Sequence, residues 1–252
     1  MSVKKIDITS DVNCPFCLIG VKQILNATEK YKAKHPSSPD FQIRLLPYRL
    51  DPNLTPEPKS REEYYRKRFG DAKAEMIFKT MGPKLESMGF KADFGGTLSS
   101  THLAHRLQTY ALLTKPNNQV PLAMDVFEGF HGYKKDPSDK QWLSQLATKH
   151  EIFQTEKEAL DWLNGNECDE EVTKGYLIAQ RLGVTGVPFF VFQDKYAASG
   201  AMGEEELLKL LEEIDQREST PTQGSNGLLA QGDSCAPICS VHGETCKIAH
   251  EA

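Results

Sequence analysis

The chain has no apolar run long enough to span a bilayer, and Met1-Ser2-Val3-Lys4-Lys5 leads into the first strand-like segment with no apolar signal stretch. Both absences predict a cytoplasmic protein with no membrane partner. A basic excess is also missing. Thirty Lys and Arg face 35 Asp and Glu, for a net charge of −5. Nucleic acid and anionic lipid surfaces call for a basic face, so neither is predicted as a partner. Cysteine is scarce, at six in 252 residues. In a reducing compartment a vicinal pair points to catalysis or metal binding more than to a structural staple. Hydrophobic residues at 39% suffice for a real core, and the length suits one large domain or a domain carrying a sizeable insertion.

Two of the six cysteines lie together in Cys14-Pro15-Phe16-Cys17. Ile6-Asp7-Ile8-Thr9 alternates like a strand, whereas Leu18, Val21, Ile24 and Leu25 recur at helical spacing, so the chain turns from strand to helix at the cysteines. Pro15 suits the first helical position, where its missing N–H is no loss. Cys14 then falls at the N-cap and Cys17 one turn later on the same side. Unpaired N–H groups and the positive end of the helix dipole favour a thiolate there. Residues three apart on a helix have Cβ atoms about 5–6 Å apart. A disulfide wants roughly 3.5–4.5 Å, so a slightly tightened first turn lets the pair bond. Cys14, nearer the helix end, is the expected attacker and Cys17 the resolving thiol. The same four residues are also compatible with half a zinc site.

The first helix is predicted to run to Lys34 and to end at Pro36-Ser37-Ser38-Pro39, with a second strand over Phe41–Leu46; together they form a right-handed βαβ unit. From Ser60 to about Gly183 the periodicity is helical throughout, with no strand. The helices fall near residues 61–69, 72–88, 103–114, 119–131, 139–150, 155–162 and 170–183, the third of them capped by Ser99 or Ser100. Phe127, Phe130 and Trp142 read as the core of this block. Strands return at Val187–Phe192 and Ala197–Ala201, followed by an amphipathic helix over Glu204–Arg217 with Leu207, Leu208, Leu210, Leu211 and Ile214 on its buried side.

This order, with Ser10–Gly20, Ala104-His105-Arg106-Leu107, Gly183–Phe190 and Ser199-Gly200-Ala201, resembles the DsbA-like thioredoxin-fold family. The likeness is to its FrnE-type dithiol oxidoreductase branch, related to 2-hydroxychromene-2-carboxylate isomerases and kappa-class glutathione transferases. The resemblance implies an α/β, thioredoxin-like fold: residues 1–59 and 184–217 form a discontinuous thioredoxin-like domain and 60–183 an inserted helical domain, leaving 218–252 as a Cys- and His-bearing tail of flexible linker composition. It implies that Pro188 is a cis-proline facing the cysteines, with the Val187 backbone open to an extended substrate segment. From the residues alone, Pro188 could equally begin a strand.

Thiol–disulfide exchange on protein or small-molecule disulfides is the expected activity, with no bound cofactor and with glutathione or a dithiol protein as redox partner, in a monomer or homodimer. A glutathione-dependent transferase or isomerase is the alternative, although those branches commonly carry serine at the position of Cys14; a metal-binding or interaction protein is the third. Phe16 stands where the FrnE-type pattern has tryptophan. Cys14, Cys17 and Pro188 are the expected catalytic residues, and Val187, Pro15, Phe16 and His105 the expected substrate contacts. His105 lies three residues from His102, a metal-compatible spacing with no third ligand nearby. Cys235, Cys239 and Cys246 are candidates for an auxiliary redox group, against a zinc site with His242 and His250 or incidental thiols. Cys168 reads as incidental.

Overall fold

The computed structural model describes residues 3–219 and 236–237. Strand β1 (Lys4–Ser10) lies inside a five-stranded sheet, with β2 (Phe41–Pro47) parallel on one flank and β5 (Phe189–Phe192) antiparallel on the other. Burial on both faces explains why Ile6 and Ile8 alternate with Asp7 and Thr9 and all four are buried. Asp7 is tolerated because Arg44, its register partner on β2, meets it with two bonds of 2.6 Å, a forked geometry that satisfies both charges. The sheet continues through β6 (Tyr196–Ser199) to β7 (Ala236–Pro237). Gln193 and Asp194, both at positive φ, make the β5–β6 turn.

Helix α1 (Pro15–Lys34) starts on Pro15 and stops before the prolines, as its sequence requires. It packs on α9 (Glu204–Ser219), whose Leu207, Leu208 and Leu211 share its core. A Cβ on Gly20 would come within 2.7 Å of Pro188 Cγ and 3.2 Å of the Phe190 ring, so this glycine lets α1 lie directly against the start of β5.

Seven helices come between: α2 (Arg61–Phe69), α3 (Asp71–Glu86), α4 (His102–Thr114), α5 (Pro116–Gly132), α6 (Lys140–Lys149), α7 (Glu156–Asn164) and α8 (Asp169–Arg181). The insertion is not strand-free. β3 (Lys59–Ser60) and β4 (Thr97–Leu98) pair antiparallel, two residues each, too short to show alternation in the sequence. Neither Ser99 nor Ser100 is the N-cap of α4. Thr101 is, without a side-chain cap bond, its hydroxyl meeting Asp11; the Ser99 hydroxyl is committed to buried Asp136, and Ser100 Oγ accepts His102 N–H at 3.4 Å. A capping box of Thr155 and Glu158 starts α7. Phe130 and Trp142 lie in a core formed within the inserted helices, but Phe127 faces the other way and joins the core under the sheet with Met81 and Leu85. α9 runs to Ser219, two residues past the expected boundary. Cys235, Cys239, Cys246, His242 and His250 lie outside the described residues.

The order β-α-β, inserted helices, β-β-α is a thioredoxin-like fold with a helical insertion. The insertion also covers the open edge of β2. Fully buried Gln119 on α5 accepts a bond from Leu45 N at 3.0 Å and donates to Leu45 O at 2.7 Å, replacing the missing strand. Gln119→Leu keeps the packing but leaves both main-chain groups unpaired, and should lower unfolding free energy by ~2–4 kcal/mol in urea titrations.

Candidate active site

Cys14 sits at the N-cap of α1 in extended conformation (φ −97°, ψ 111°), with no side-chain cap and no acidic residue in the first helical turn to oppose a negative sulfur. The first turn is tight: Cys17 N–H donates to Cys14 O at 3.0 Å. The two side chains are close enough for their thiols to hydrogen-bond, and both are free thiols. Their exposure differs. Cys14 reaches the surface at 5%, whereas Cys17 is completely covered. Burial, reinforced by the hydrogen bond and charge of Cys14, pushes the Cys17 thiol well above the ordinary range. Cys17 therefore keeps its proton while Cys14 faces outward.

The partner of Cys14 across the seam is the loop before β5. The Cys14 thiol donates to Val187 O at 3.4 Å, and the Val187–Pro188 peptide is cis. On the far side of that loop, Gly200 N–H donates to Pro188 O at 2.8 Å, which accounts for the Ser199-Gly200 element beside it. Pro15 is buried in the first turn, Val187 is half-buried, and Phe16 stands 42% exposed with Lys84 Nζ 5.2 Å above its ring. An exposed aromatic, a half-buried backbone segment and the sulfur thus share one rim.

Behind the cysteines lies Asp11, which the sequence places in the motif without a role. It is 1% exposed. Its Oδ2 accepts from Leu50 N at 2.8 Å, its Oδ1 from Asn13 N at 3.4 Å, and Thr101 adds a side-chain bond. Burial outweighs these bonds and lifts the carboxyl to about 6. It acts on the Cys17 thiol in two opposed ways, its main-chain hydrogen bond lowering and its charge raising the thiol's affinity for its proton. Its main-chain carbonyl accepts Cys14 N–H at 3.0 Å, so this one residue ties the end of β1 to the start of α1.

His131, at the end of α5, also has no sequence signal beyond a helical position. Its Nε2 lies 3.0 Å from Val12 O, pinning the loop that carries Cys14, and burial followed by the charge of Arg61 holds it down at about 3. Arg61 is itself fully buried, stacked 3.9 Å from the Phe130 ring and donating to the Phe130 and Asp93 carbonyls.

His105 is not placed on the rim. At 2% exposure it turns inward, Nδ1 2.9 Å from Tyr176 OH and Nε2 3.7 Å from Asp11 Oδ1, because α4 packs that face against α8 and the end of β1. A direct substrate contact is therefore replaced by a contact with Asp11. The metal-compatible pair is engaged otherwise: His102 Nδ1 and His105 Nδ1 both meet Tyr176 OH. Among the described residues no three His, Cys, Asp or Glu side chains converge to hold a metal.

A family model described as DSBA-like thioredoxin domain matches residues 5–212. The chain belongs to the DsbA-like thioredoxin family. In solved structures the DsbA-like fold recurs. A probable DsbA oxidoreductase of Streptomyces coelicolor superposes with TM-score 0.73 at 22% identity, over 92% of this chain and 98% of that one. The 2-hydroxychromene-2-carboxylate isomerase gives 0.57 at 16%, over 85% and 95%. The cytosolic disulfide reductase DsbM of Pseudomonas aeruginosa gives 0.55 at 14%, over 84% and 99%, and has also been solved with glutathione. No curated protein matches. The family is one of disulfide oxidoreductases and isomerases, and the solved structures share its fold. No helix of the described residues is long and apolar enough to cross a membrane.

Burial gives this site an acid sensitivity. The unfolded chain protonates His105 and His131 near pH 6.5 but the folded chain only near 3, so each withdraws stability as pH falls below 6.5. Asp11 opposes them, since its folded form takes a proton near pH 6 and its unfolded form only near 3.8. Between pH 6 and 4 these three leave the unfolded chain one net proton ahead. Their contribution to unfolding free energy should fall by ~1.4 kcal/mol per pH unit, read from urea titrations across that range. His131→Asn should flatten the slope; a slope unchanged in that variant refutes the assignment.

Proposed function

We propose that this DsbA-like protein exchanges thiols and disulfides through Cys14 and Cys17. The observation that carries the reading is the unequal burial of two sulfurs on one helical turn. Cys14, as thiolate, attacks one sulfur of a substrate disulfide; a Cys14–substrate bond forms as the substrate bond breaks and one substrate thiolate leaves. The Cys17 proton passes to the Asp11 carboxylate. The Cys17 thiolate then attacks Cys14 Sγ, the mixed disulfide breaks, the second substrate thiolate leaves, and Cys14–Cys17 is oxidised as the substrate gains two electrons. In reverse, the pair oxidises a dithiol. An extended substrate segment pairs along Val187 beside Phe16. Glutathione or a dithiol protein reduces the pair again in the cytoplasm, a recycling supported by the glutathione complex of DsbM.

A second reading, a glutathione-dependent transferase or isomerase, is favoured by the fold shared with 2-hydroxychromene-2-carboxylate isomerase. The two readings part at Cys17, which exchange needs and isomerisation does not.

Insulin reduction by dithiothreitol, followed as turbidity, tests this directly. Cys14→Ser should abolish the acceleration, and Cys17→Ser should trap a mixed disulfide visible by mass spectrometry. Turbidity unchanged by Cys14→Ser overturns the exchange reading. Turnover of a glutathione-dependent substrate that survives Cys17→Ser moves the assignment to the isomerase class.

A further inference from the structure

If Asp11 receives the proton of Cys17, that proton lands on a group with no exposed surface. The residues around it are the Cys17 thiol from α1, which meets the Asp11 main chain and feels its charge, the Thr101 hydroxyl, the Leu50, Asn13 and Val12 N–H groups, and His105 from α4. Of these only His105 leads outward. Its Nε2 has no hydrogen-bond partner and points at Asp11 Oδ1 across 3.7 Å. Its Nδ1 is 2.9 Å from Tyr176 OH on α8, which in turn is 3.2 Å from His102 Nδ1. His102 Nε2 is 2.9 Å from Asp169 Oδ1, and here the side chains emerge, His102 at 26% and Asp169 at 51% exposure. Arg49, 4.2 Å above the Tyr176 ring, and Arg106, 3.6 Å from Asp169, are the cations flanking this line.

We propose that His105, Tyr176 and His102 form a proton path between Asp11 and solvent, serving the step in which Cys17 resolves the mixed disulfide. This rests on the Asp11 role given above. A phenol hydroxyl between two ring nitrogens accepts from one and donates to the other, so the three groups hold protons in one direction or its reverse. With Asp11 protonated, a side-chain shift that closes the 3.7 Å gap to hydrogen-bond distance lets its O–H supply the hydrogen that His105 Nε2 lacks. His105 Nδ1–H then donates to Tyr176, Tyr176 O–H to His102 Nδ1, and His102 Nε2–H to Asp169. Passing one proton along each link leaves Asp11 ionised, Nε2 of His105 and Nδ1 of His102 protonated, and one proton released at Asp169 to water. No group gains or loses net charge except Asp11 and the final acceptor. Reduction of the pair runs the same transfers inward and returns the proton to Cys17. The path suits a neutral His105, whose burial holds its pKa at about 3. These are positioning residues, since none touches a sulfur.

The full chain with Cys168, Cys235, Cys239 and Cys246 replaced by serine, mixed with 5,5′-dithiobis(2-nitrobenzoate) in stopped flow, releases one thionitrobenzoate when Cys14 attacks and a second when Cys17 resolves. Tyr176→Phe keeps the ring and loses the hydroxyl. It should leave the first phase unchanged and slow the second by ~10-fold at pH 6.5, a modest share of what a positioned proton-transfer group supplies. The gap should narrow toward pH 9, where hydroxide takes the proton instead. His102→Gln, at a partly exposed position that does not threaten folding, should act alike. A second phase unchanged in both variants, or slowed equally at every pH, overturns the path. Asp11→Asn separates the two claims: a slow second phase there, with Tyr176→Phe and His102→Gln unaffected, removes the path and keeps Asp11 as acceptor. A normal second phase in Asp11→Asn removes both.

Discussion

Two sulfurs on one turn of helix, one at the rim and one under it, set the terms for everything around them. A thiol pair at equal exposure would have no built-in order of reaction. In the proposed exchange the order comes from desolvation: Cys17 is covered and its thiol pushed upward, while Cys14 occupies the N-cap of α1. Keeping that inequality requires α1 to be pressed against β5 at Gly20 and the Val187 carbonyl to be held over Cys14. The sheet, the loop before β5 and the contact with α9 all serve that placement.

The inserted helices are more than a cover. Val12, one residue past Asp11, is buried in their core rather than in the core under the sheet, whereas Cys14 and Cys17 belong to the latter. The loop carrying the cysteines is thus gripped from both sides. His131 fixes its carbonyl, Thr101 and Leu50 hold Asp11, and Arg61 braces the α5 end that presents His131. Because several of these polar groups are buried with their bonds made, loss of any one leaves others unsatisfied, and the loop has little freedom to drift.

Much of the frame was legible in local spacing. The strand-to-helix change at Cys14, Pro15 at the first helical position, and the leucine stripe of α9 each depend on a few consecutive residues. So did the order of elements and, through the resemblance, the cis bond at Pro188. The polar residues that support the site were not legible. Gln119 pairs with Leu45 and His131 with Val12, across 74 and 119 residues, and a lone polar side chain in a helix gives no hint of which carbonyl it will meet. Asp11 was visible as a letter in a motif, but its altered acidity arises from burial that only the packed chain supplies. His105 was expected at the substrate and lies buried against Tyr176 and Asp11, since a helix with several apolar sides does not declare which one turns toward solvent. The two-residue strands β3 and β4 fall below any periodic signal.

The central strand has a further consequence for how the protein comes into being. β1 leaves the ribosome well before its antiparallel neighbour β5, which begins at Phe189, some 140 residues after β2 ends. At ~5–20 residues per second of synthesis, the nascent βαβ unit waits on the order of ten seconds with one flank of its sheet unmatched. During that interval Val187, whose carbonyl meets the Cys14 thiol, does not yet exist. The unequal burial of the two thiols is therefore complete only once β5 and the loop before it have been made.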